Sequence, residues 1–383
     1  MKQLFCVILM TLSLFSCHQE NKESIATVYN LDKDLKLEID SFVVQLDSVS
    51  LPEYLSKTAV LEIKDSLWVY AHNHKTSHLD VFYLGDGENQ IEHIALSKEG
   101  KDAVLDVMAL QVLSKDSIFI CDGMNYLLIN SKGNVFWKKK ALFQKRKKVY
   151  MLESAFFTKL FYDNRNNRIY GRYMSTGEGY PFPEKELFAY YDLAKDSLVT
   201  LPIELPSYVE MNKTTLGRNA TLHAFFYVDR ICYNFSGMSD LFVYDINKDY
   251  IQQKGGKSLL FKEKLTAYEG DLNDSSKKWK HYLENTNYNP LLFNPYTQLY
   301  YRISFGNFVG EEDFGDLGHY KKEIILTVFN KELEVFQEYK LPNYQFNFLD
   351  YFPVKEGILT FGNNPLNESI SYEKIVFYKI KVK

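Results

Sequence analysis

The 383-residue chain is poor in the residues that build metal centres, disulfide frameworks and membrane spans. It has four cysteines, eight histidines and three tryptophans. No two cysteines stand close enough in sequence to suggest a zinc ribbon or a redox pair. Ten prolines and nineteen glycines are too few for a collagen-like or low-complexity chain. Neither sign of charge dominates: 45 basic side chains meet 49 acidic ones, a net −4. A dedicated nucleic-acid binder would be strongly basic, so nucleic acid is excluded as a partner. The chain also lacks a nucleophile elbow, a phosphate-cradling glycine loop and kinase signatures. No cofactor is implied. What is abundant is aromatic: 29 Tyr and 28 Phe. Rings of this kind pack well on pleated surfaces and favour strands over helices.

The first residues are not read as part of the fold. Lys2 precedes the apolar run "LFCVILMTLSLF" (4–15), which is short of the roughly 20 residues that a spanning helix needs and suits a secretory signal. "LFSC" (14–17) follows and resembles the lipobox of bacterial lipoproteins, with Leu14 and Ser16 in place before Cys17. The resemblance implies that residues 1–16 are removed and that Cys17 carries lipid. Residues 17–33 read as a polar tether, with Glu20 and Glu23 as a faint acidic tag. A cell-envelope protein on the outer membrane is expected, on either leaflet. Of the two remaining cysteines, Cys121 and Cys232 lie in separate apolar runs and read as buried and unpaired.

From residue 34 onward one unit recurs. An apolar strand, a turn and a second apolar strand appear six times, and Leu67, Ile118, Ile169, Ile231, Leu299 and Ile358 align at spacings of 51, 51, 62, 68 and 59. Most units add an apolar run before this pair and a more polar strand after it. Four strands, with the last one polar, describe a propeller blade whose outer edge meets water. The fold class is therefore all-β, a six-bladed β-propeller over 34–383. The sixth unit lacks its outer strand, whereas "DLKLEID" (34–40) and "SFVVQLD" (41–47) have strand character and no blade. An N-terminal strand closing the ring is one solution; a partial seventh blade over 25–60 is the alternative. "DSIFICDGMNYLLINSKGNV" (116–135) resembles the NHL repeat. The chain as a whole resembles the six-bladed propeller lipoproteins of Gram-negative gut bacteria that form a domain of unknown function. That resemblance brings no catalytic residues.

Strand alternation puts the long insertions on one face. They are 174–186, 304–322 and 362–373, with the inter-blade links 206–221 and 262–290. Tyr173, Glu178, Tyr180, Phe182, Phe308, Glu312, Asp313 and Tyr320 are the ligand-binding candidates. Their rings could stack a sugar or a peptide, or pack on one another to hold the loops. The hairpin "HNHKTSH" (72–78) offers His72, His74 and His78, with His72 and His78 facing each other across the turn. Three such groups could supply most of a zinc shell, but a polar turn is the reading taken, so no metal is expected. "GEEDFGD" (310–316) lacks the calcium-loop spacing, and the basic run 138–148 reads as a solvated edge. A ligand-binding or protein-interaction scaffold for a glycan, a peptide or an envelope protein is expected. A hydrolase or lyase acting at the same face is the alternative.

Overall fold

The computed structural model describes residues 27–29, 36–52, 55–64, 66–85, 90–141, 149–152, 158–175, 186–271, 273–368 and 371–382. The described residues begin with two strands that precede the first blade, β1 (Thr27–Tyr29) and β2 (Leu37–Gln45). Blade one is β3 (Leu55–Ile63), β4 (Ser66–Asn73), β5 (His78–Leu84) and β6 (Gln90–Ala95). Blade two is β7 (Ala109–Ser114), β8 (Ser117–Cys121), β9 (Asn125–Ile129) and β10 (Val135–Lys140). In blade three the first strand is split into β11 (Val149–Leu152) and β12 (Phe161–Asp163), which pair with opposite ends of β13 (Arg168–Ser175). The blade continues with β14 (Phe188–Asp192) and β15 (Ser197–Thr200). Blade four is β16 (Leu222–Phe226), β17 (Arg230–Phe235), β18 (Asp240–Asp245) and β19 (Tyr250–Gly255). Blade five splits its first strand into β20 (Asn287–Tyr288) and β21 (Leu292–Asn294), then runs through β22 (Leu299–Phe308), β23 (Lys322–Phe329) and β24 (Val335–Lys340). Blade six is β25 (Asn347–Val354), β26 (Gly357–Phe361) and β27 (Lys374–Val382). All ladders are antiparallel, giving six blades.

The fourth strand of blade six is β2. It pairs with β27 without a bulge, from Leu37 opposite Val382 to Gln45 opposite Lys374. Strand β1 adds a further strand outside β24, with Thr27 opposite Lys340 and Tyr29 opposite Glu338. The break in the first strand of blade five falls at Pro290, which has no amide hydrogen for the ladder.

The core lies between blades rather than within them. Phe188 of blade three meets Phe226 and Tyr233 of blade four edge-on, each at 5.4 Å. At the seam of blades one and six, Phe82 packs on Phe377 at 5.4 Å, and the fully buried Val44 of β2 joins their cluster. The closing strand is thus packed as well as paired. Cys121 and Cys232 are both buried, and neither forms a disulfide among the described residues.

One turn device recurs around the ring. An Asn or Asp ends a strand, its side-chain oxygen accepts the next amides, and the residue four positions on takes a left-handed φ. Asp163 accepts from the amides of Arg165 and Asn166, and Asn167 sits at φ 53°. Asp192 with Asp196 (φ 52°), Asp245 with Asp249 (φ 51°) and Asn294 with Gln298 (φ 59°) repeat the pattern. The same device shapes the histidine hairpin. Asn73 accepts from the amides of Lys75 and Thr76, and Ser77 takes φ 59°.

That turn fixes a register which corrects one expectation. His72 lies opposite Leu79, and Asn73 lies opposite His78, so His72 and His78 are on opposite faces of the blade. His72 is buried against Ser56, Nδ1 to Oγ 3.2 Å, and burial pushes its imidazole down to about 4. His74 is exposed. What the hairpin does gather is a latch. The buried Asp80 accepts from the Asn73 amide at 3.0 Å and meets His93 Nδ1 at 2.8 Å; His93 Nε2 reaches Asp47 at 2.8 Å. Asp47 follows β2 and also accepts from the amides of Val49 and Ser50. Two carboxylates and one imidazole therefore tie the end of the closing strand to blade one.

Burial alone would lower the His93 pKa, but the hydrogen bonds to Asp47 and Asp80 outweigh it and hold the pKa above its ordinary value. Burial would likewise raise Asp47, yet His93 and the two backbone amides hold it low. The His93 contribution is fully present below the ordinary imidazole value of about 6.5 and fades as pH rises through the raised folded value. The Asp47 contribution is present above the ordinary carboxylate range and fades as pH falls through its lowered folded value. The difference in melting temperature between the wild type and His93→Gln should therefore peak in mildly acid buffer and shrink as the solution becomes alkaline. A difference that does not change with pH would show that the latch does not titrate. Asp80→Ala, which takes one partner each from the Asn73 side-chain amide and His93 and leaves Val49 O and Asp47 as the others, should cost about 1–3 kcal/mol in denaturant unfolding.

Candidate binding cleft on the loop face

Two helices stand on the face that carries the long loops. Helix α1 (Ser207–Leu216) lies in the link from blade three to blade four, and α2 (Ser275–Glu284) in the link from blade four to blade five. Helix α1 follows Pro206 and stops at Gly217, whose φ of 56° favours glycine. An added Cβ there would also press on the Tyr268 ring at 3.4 Å. Helix α2 starts at Asp274, whose side chain accepts from the Lys277 amide at 2.9 Å. His281, Tyr282 and Leu283 are buried, and the half-buried Trp279 stands three and four positions before Tyr282 and Leu283. That spacing, after an Asp cap, was the signal for α2 in the sequence. The β-rich context hid it.

Between these links, above blade four, opens a cleft of ≈ 580 Å³. Tyr208, Thr215 and Leu216 of α1 form one wall, Met238, Ser239 and Asp240 another, and residues of 257–267 the third. Its polar groups are paired within the cleft. The Tyr208 hydroxyl donates to Asp240 Oδ2 at 3.2 Å, and Lys257 Nζ lies 3.4 Å from Glu263 Oε2. Burial and the Asp240 charge push the Tyr208 phenol up, so it stays a neutral donor. Leu216, Met238, Leu265 and Ala267 supply the apolar lining. Two carboxylates against one ammonium leave the cleft negative. It can accept hydrogen bonds from hydroxyl, amide or ammonium groups while an apolar face rests on the leucines.

The walls are held by buried charge from blade five. Arg302 is fully buried and donates to Ser239 O at 2.8 Å and to Gly256 O, two paired residues that lead into Asp240 and Lys257 of the lining. Its guanidinium lies 4.2 Å from the Tyr288 ring, and the Tyr288 hydroxyl donates to Glu263 Oε1 at 3.4 Å. Lys322 is also buried, and its three protons meet Leu283 O at 3.1 Å, Asn285 O at 2.5 Å and Asn287 Oδ1 at 3.0 Å. Burial pushes the Lys322 ammonium down to about 7, and the charge of Lys264 acts in the same direction. Asn285 Oδ1 in turn accepts from the Thr266 amide at 2.7 Å. Lys322 therefore positions the third wall through Asn285. The first and third walls meet where the Tyr268 amide donates to Thr215 O at 2.6 Å.

The candidates named from the sequence are distributed differently. Glu178, Tyr180 and Phe182, like Cys17 and most of the basic run 138–148, lie outside the described residues. Tyr173 is half-buried in β13. Phe308 meets Phe314 edge-on at 5.6 Å, and the insert leans on α2, where Trp279 Nε1 donates to Gly315 O at 3.2 Å. Asp313 pairs with Lys321 at 2.8 Å and Glu312 is exposed. Tyr320 is half-buried, with its backbone amide donating to Leu317 O at 3.0 Å. Phe308 and Phe314 thus pack within the loop. In the central funnel Lys159 of blade three reaches Asp350 of blade six at 2.5 Å, and Thr58 of blade one donates to the same carboxylate. Among the described residues no group of three or more His, Cys, Asp or Glu side chains is arranged to hold a metal.

The chain is a six-bladed β-propeller with four-stranded blades. It belongs to the family described as a domain of unknown function, DUF4221, whose model matches residues 28–340. A crystal structure of a member of that family from Bacteroides vulgatus is similar at TM-score 0.74 and 19% identity, covering 91% of this chain and 98% of its own. A Bacteroides fragilis protein provisionally named as exported is similar at TM-score 0.53 and 11% identity, covering 91% and 95% respectively. No curated protein matches.

Lys322→Met keeps most of the side-chain volume and leaves three buried oxygens without their donor. It should lower stability by about 2–3 kcal/mol in denaturant unfolding and speed amide exchange at Thr266. Unchanged exchange at Thr266 would remove Lys322 from the support of the cleft.

Proposed function

We propose that this protein is a ligand-binding scaffold of the cell envelope. It is held at the outer membrane by lipid on Cys17 and captures an uncharged or basic glycan or peptide in the cleft above blade four. The cleft itself carries the reading. Its walls are pinned by Arg302 and Lys322, and its lining joins acceptors at Asp240 and Glu263 to an apolar floor. A pre-formed concave site with few polar groups is the usual form of a small-ligand site. The lipobox-like residues 14–17 support the anchor, and the similarity to a Bacteroides protein provisionally named as exported agrees with it.

A glycan and peptide array on the mature protein tests capture. Asp240→Ala and Glu263→Ala, each removing an acceptor that faces the ligand, should weaken binding about tenfold, the equivalent of about 1.4 kcal/mol. Binding that survives both substitutions but is lost when 304–322 or 174–186 is replaced by a short Gly-Asn turn would move the site to the funnel side of the face. That outcome would return the site to the candidates read from the sequence, Tyr173, Glu178, Tyr180, Phe182, Phe308, Glu312, Asp313 and Tyr320. Cys17→Ser should release the protein from membranes without detergent. Continued membrane partitioning of that variant would refute the lipid anchor.

A further inference from the structure

The path of the N-terminal segment gives the molecule an orientation. In blade five, β23 runs away from the 309–321 insert, and β24 runs back toward the loop face. Strand β1 is antiparallel to β24, with Thr27 opposite Lys340 and Tyr29 opposite Glu338. Thr27 therefore stands at the loop-face end of blade five. Ten residue steps separate Cys17 from Thr27, a reach of at most about 35 Å.

Beside that point the loop face exposes apolar side chains on fixed backbone. The Glu338 carboxylate, in the residue opposite Tyr29, accepts from the Leu259 amide at 2.7 Å. Arg302 holds Gly256 O, and the segment from Lys264 to Thr266 is bonded to Asn285 and Thr286. Between these fixed points Leu259 is 64% exposed and Leu265 40%. Exposure here is not fraying, since the backbone on either side is tied down. The stretch also carries the exposed Lys262 and Lys264. Elsewhere on the same face, Leu105 and Met124 of blade two and Tyr372 of blade six are exposed on connecting loops. Apolar side chains such as Tyr250 and Tyr296 are exposed at the opposite rim too, so it is the tether's attachment at this end of blade five that selects the loop face for a flat apolar partner. No helix among the described residues is long and apolar enough to cross a membrane, so contact would be made by loop tips alone.

We infer that the loop face docks on the bilayer to which the chain is tethered, with Leu259 entering the interfacial region and Leu265, at the rim of the cleft, brought against it. This rests on the anchor at Cys17, and it adds that the cleft opens toward the membrane. A few leucines bind a bilayer weakly by themselves. The short tether supplies the effective concentration that makes the contact persist. Acidic residues such as Glu311 and Glu312 share the face, so apolar insertion rather than charge holds it, and docking should withstand high salt.

The test replaces the native lipid, so that its outcome is independent of whether Cys17 is acylated. The chain from residue 18 carries an N-terminal hexahistidine and is bound to phosphatidylethanolamine–phosphatidylglycerol vesicles through a nickel-chelating lipid. An environment-sensitive fluorophore is placed on Leu259→Cys, Leu265→Cys or Tyr372→Cys, or on Arg165→Cys at the opposite face. Cys121 and Cys232 are buried and stay unlabelled in the folded protein. Probes at 259, 265 and 372 should shift to the blue and be quenched by brominated lipid several-fold more than the probe at 165. Equal quenching at all four positions, or quenching at none while the protein is bound, would overturn the inference. A blue shift that appears without vesicles as concentration rises would assign the face to self-association and overturn it as well. If the probes respond as expected but Cys17→Ser remains membrane-bound in cells, the anchor reading fails and the docking surface stands.

Discussion

Ring closure is the constraint on which the rest depends. A propeller of six blades has two open edges until its ends are joined, and here nine residues of β2 lie in register along the last strand. Each blade packs against its two neighbours, so an open seam would expose the Phe82–Phe377 contact and the cluster around Val44. The latch through Asp47, His93 and Asp80 sits where the closing strand hands over to blade one. Pairing, packing and an ionic network built on the buried Asp80 act close together in the ring, beside the blade in which the two ends of the chain meet.

The elaborated face shows a second use of buried charge. Arg302 and Lys322 come from the central strands of blade five and spend their donors on main-chain carbonyls of the loops above. A cation without a carboxylate partner is costly to bury, and carbonyl oxygens offset that cost only when several converge. Long loops would otherwise be loosely held. Tying Ser239, Gly256, Leu283 and Asn285 to the blade core gives the cleft fixed walls and leaves Leu259 exposed on backbone that cannot fold it away.

Much of the architecture was legible in the sequence because a blade repeats its hydrophobic pattern. Runs such as Ile118–Cys121 and Ile231–Phe235 announce buried strands by composition alone. The first strand of blade five was illegible because Pro290 breaks it into two short pieces. Helix α2 was overlooked because Trp279, Tyr282 and Leu283 are the same aromatic and aliphatic types that mark strands elsewhere in the chain. The histidine hairpin was found but its faces were misread, since register follows from the left-handed turn at Ser77, which residue types do not disclose. The inserts were located, and their rings drew the eye. The cleft instead is lined by Tyr208, Asp240, Lys257 and Glu263, which are unremarkable in sequence.

By itself the sequence determined the repeat and the side on which the loops accumulate, and the pairing of β2 with β27 then decided for six blades over a partial seventh. The first two follow from strand alternation and turn chemistry, which are local. Only the tertiary structure decided which groups meet. Asp47 reaches His93, Arg302 reaches Ser239 and Lys322 reaches Asn285 across separations of 37 to 63 residues. Those contacts depend on the angle at which neighbouring blades pack and on where buried charges find carbonyl partners, and neither quantity is written in any short stretch of the chain.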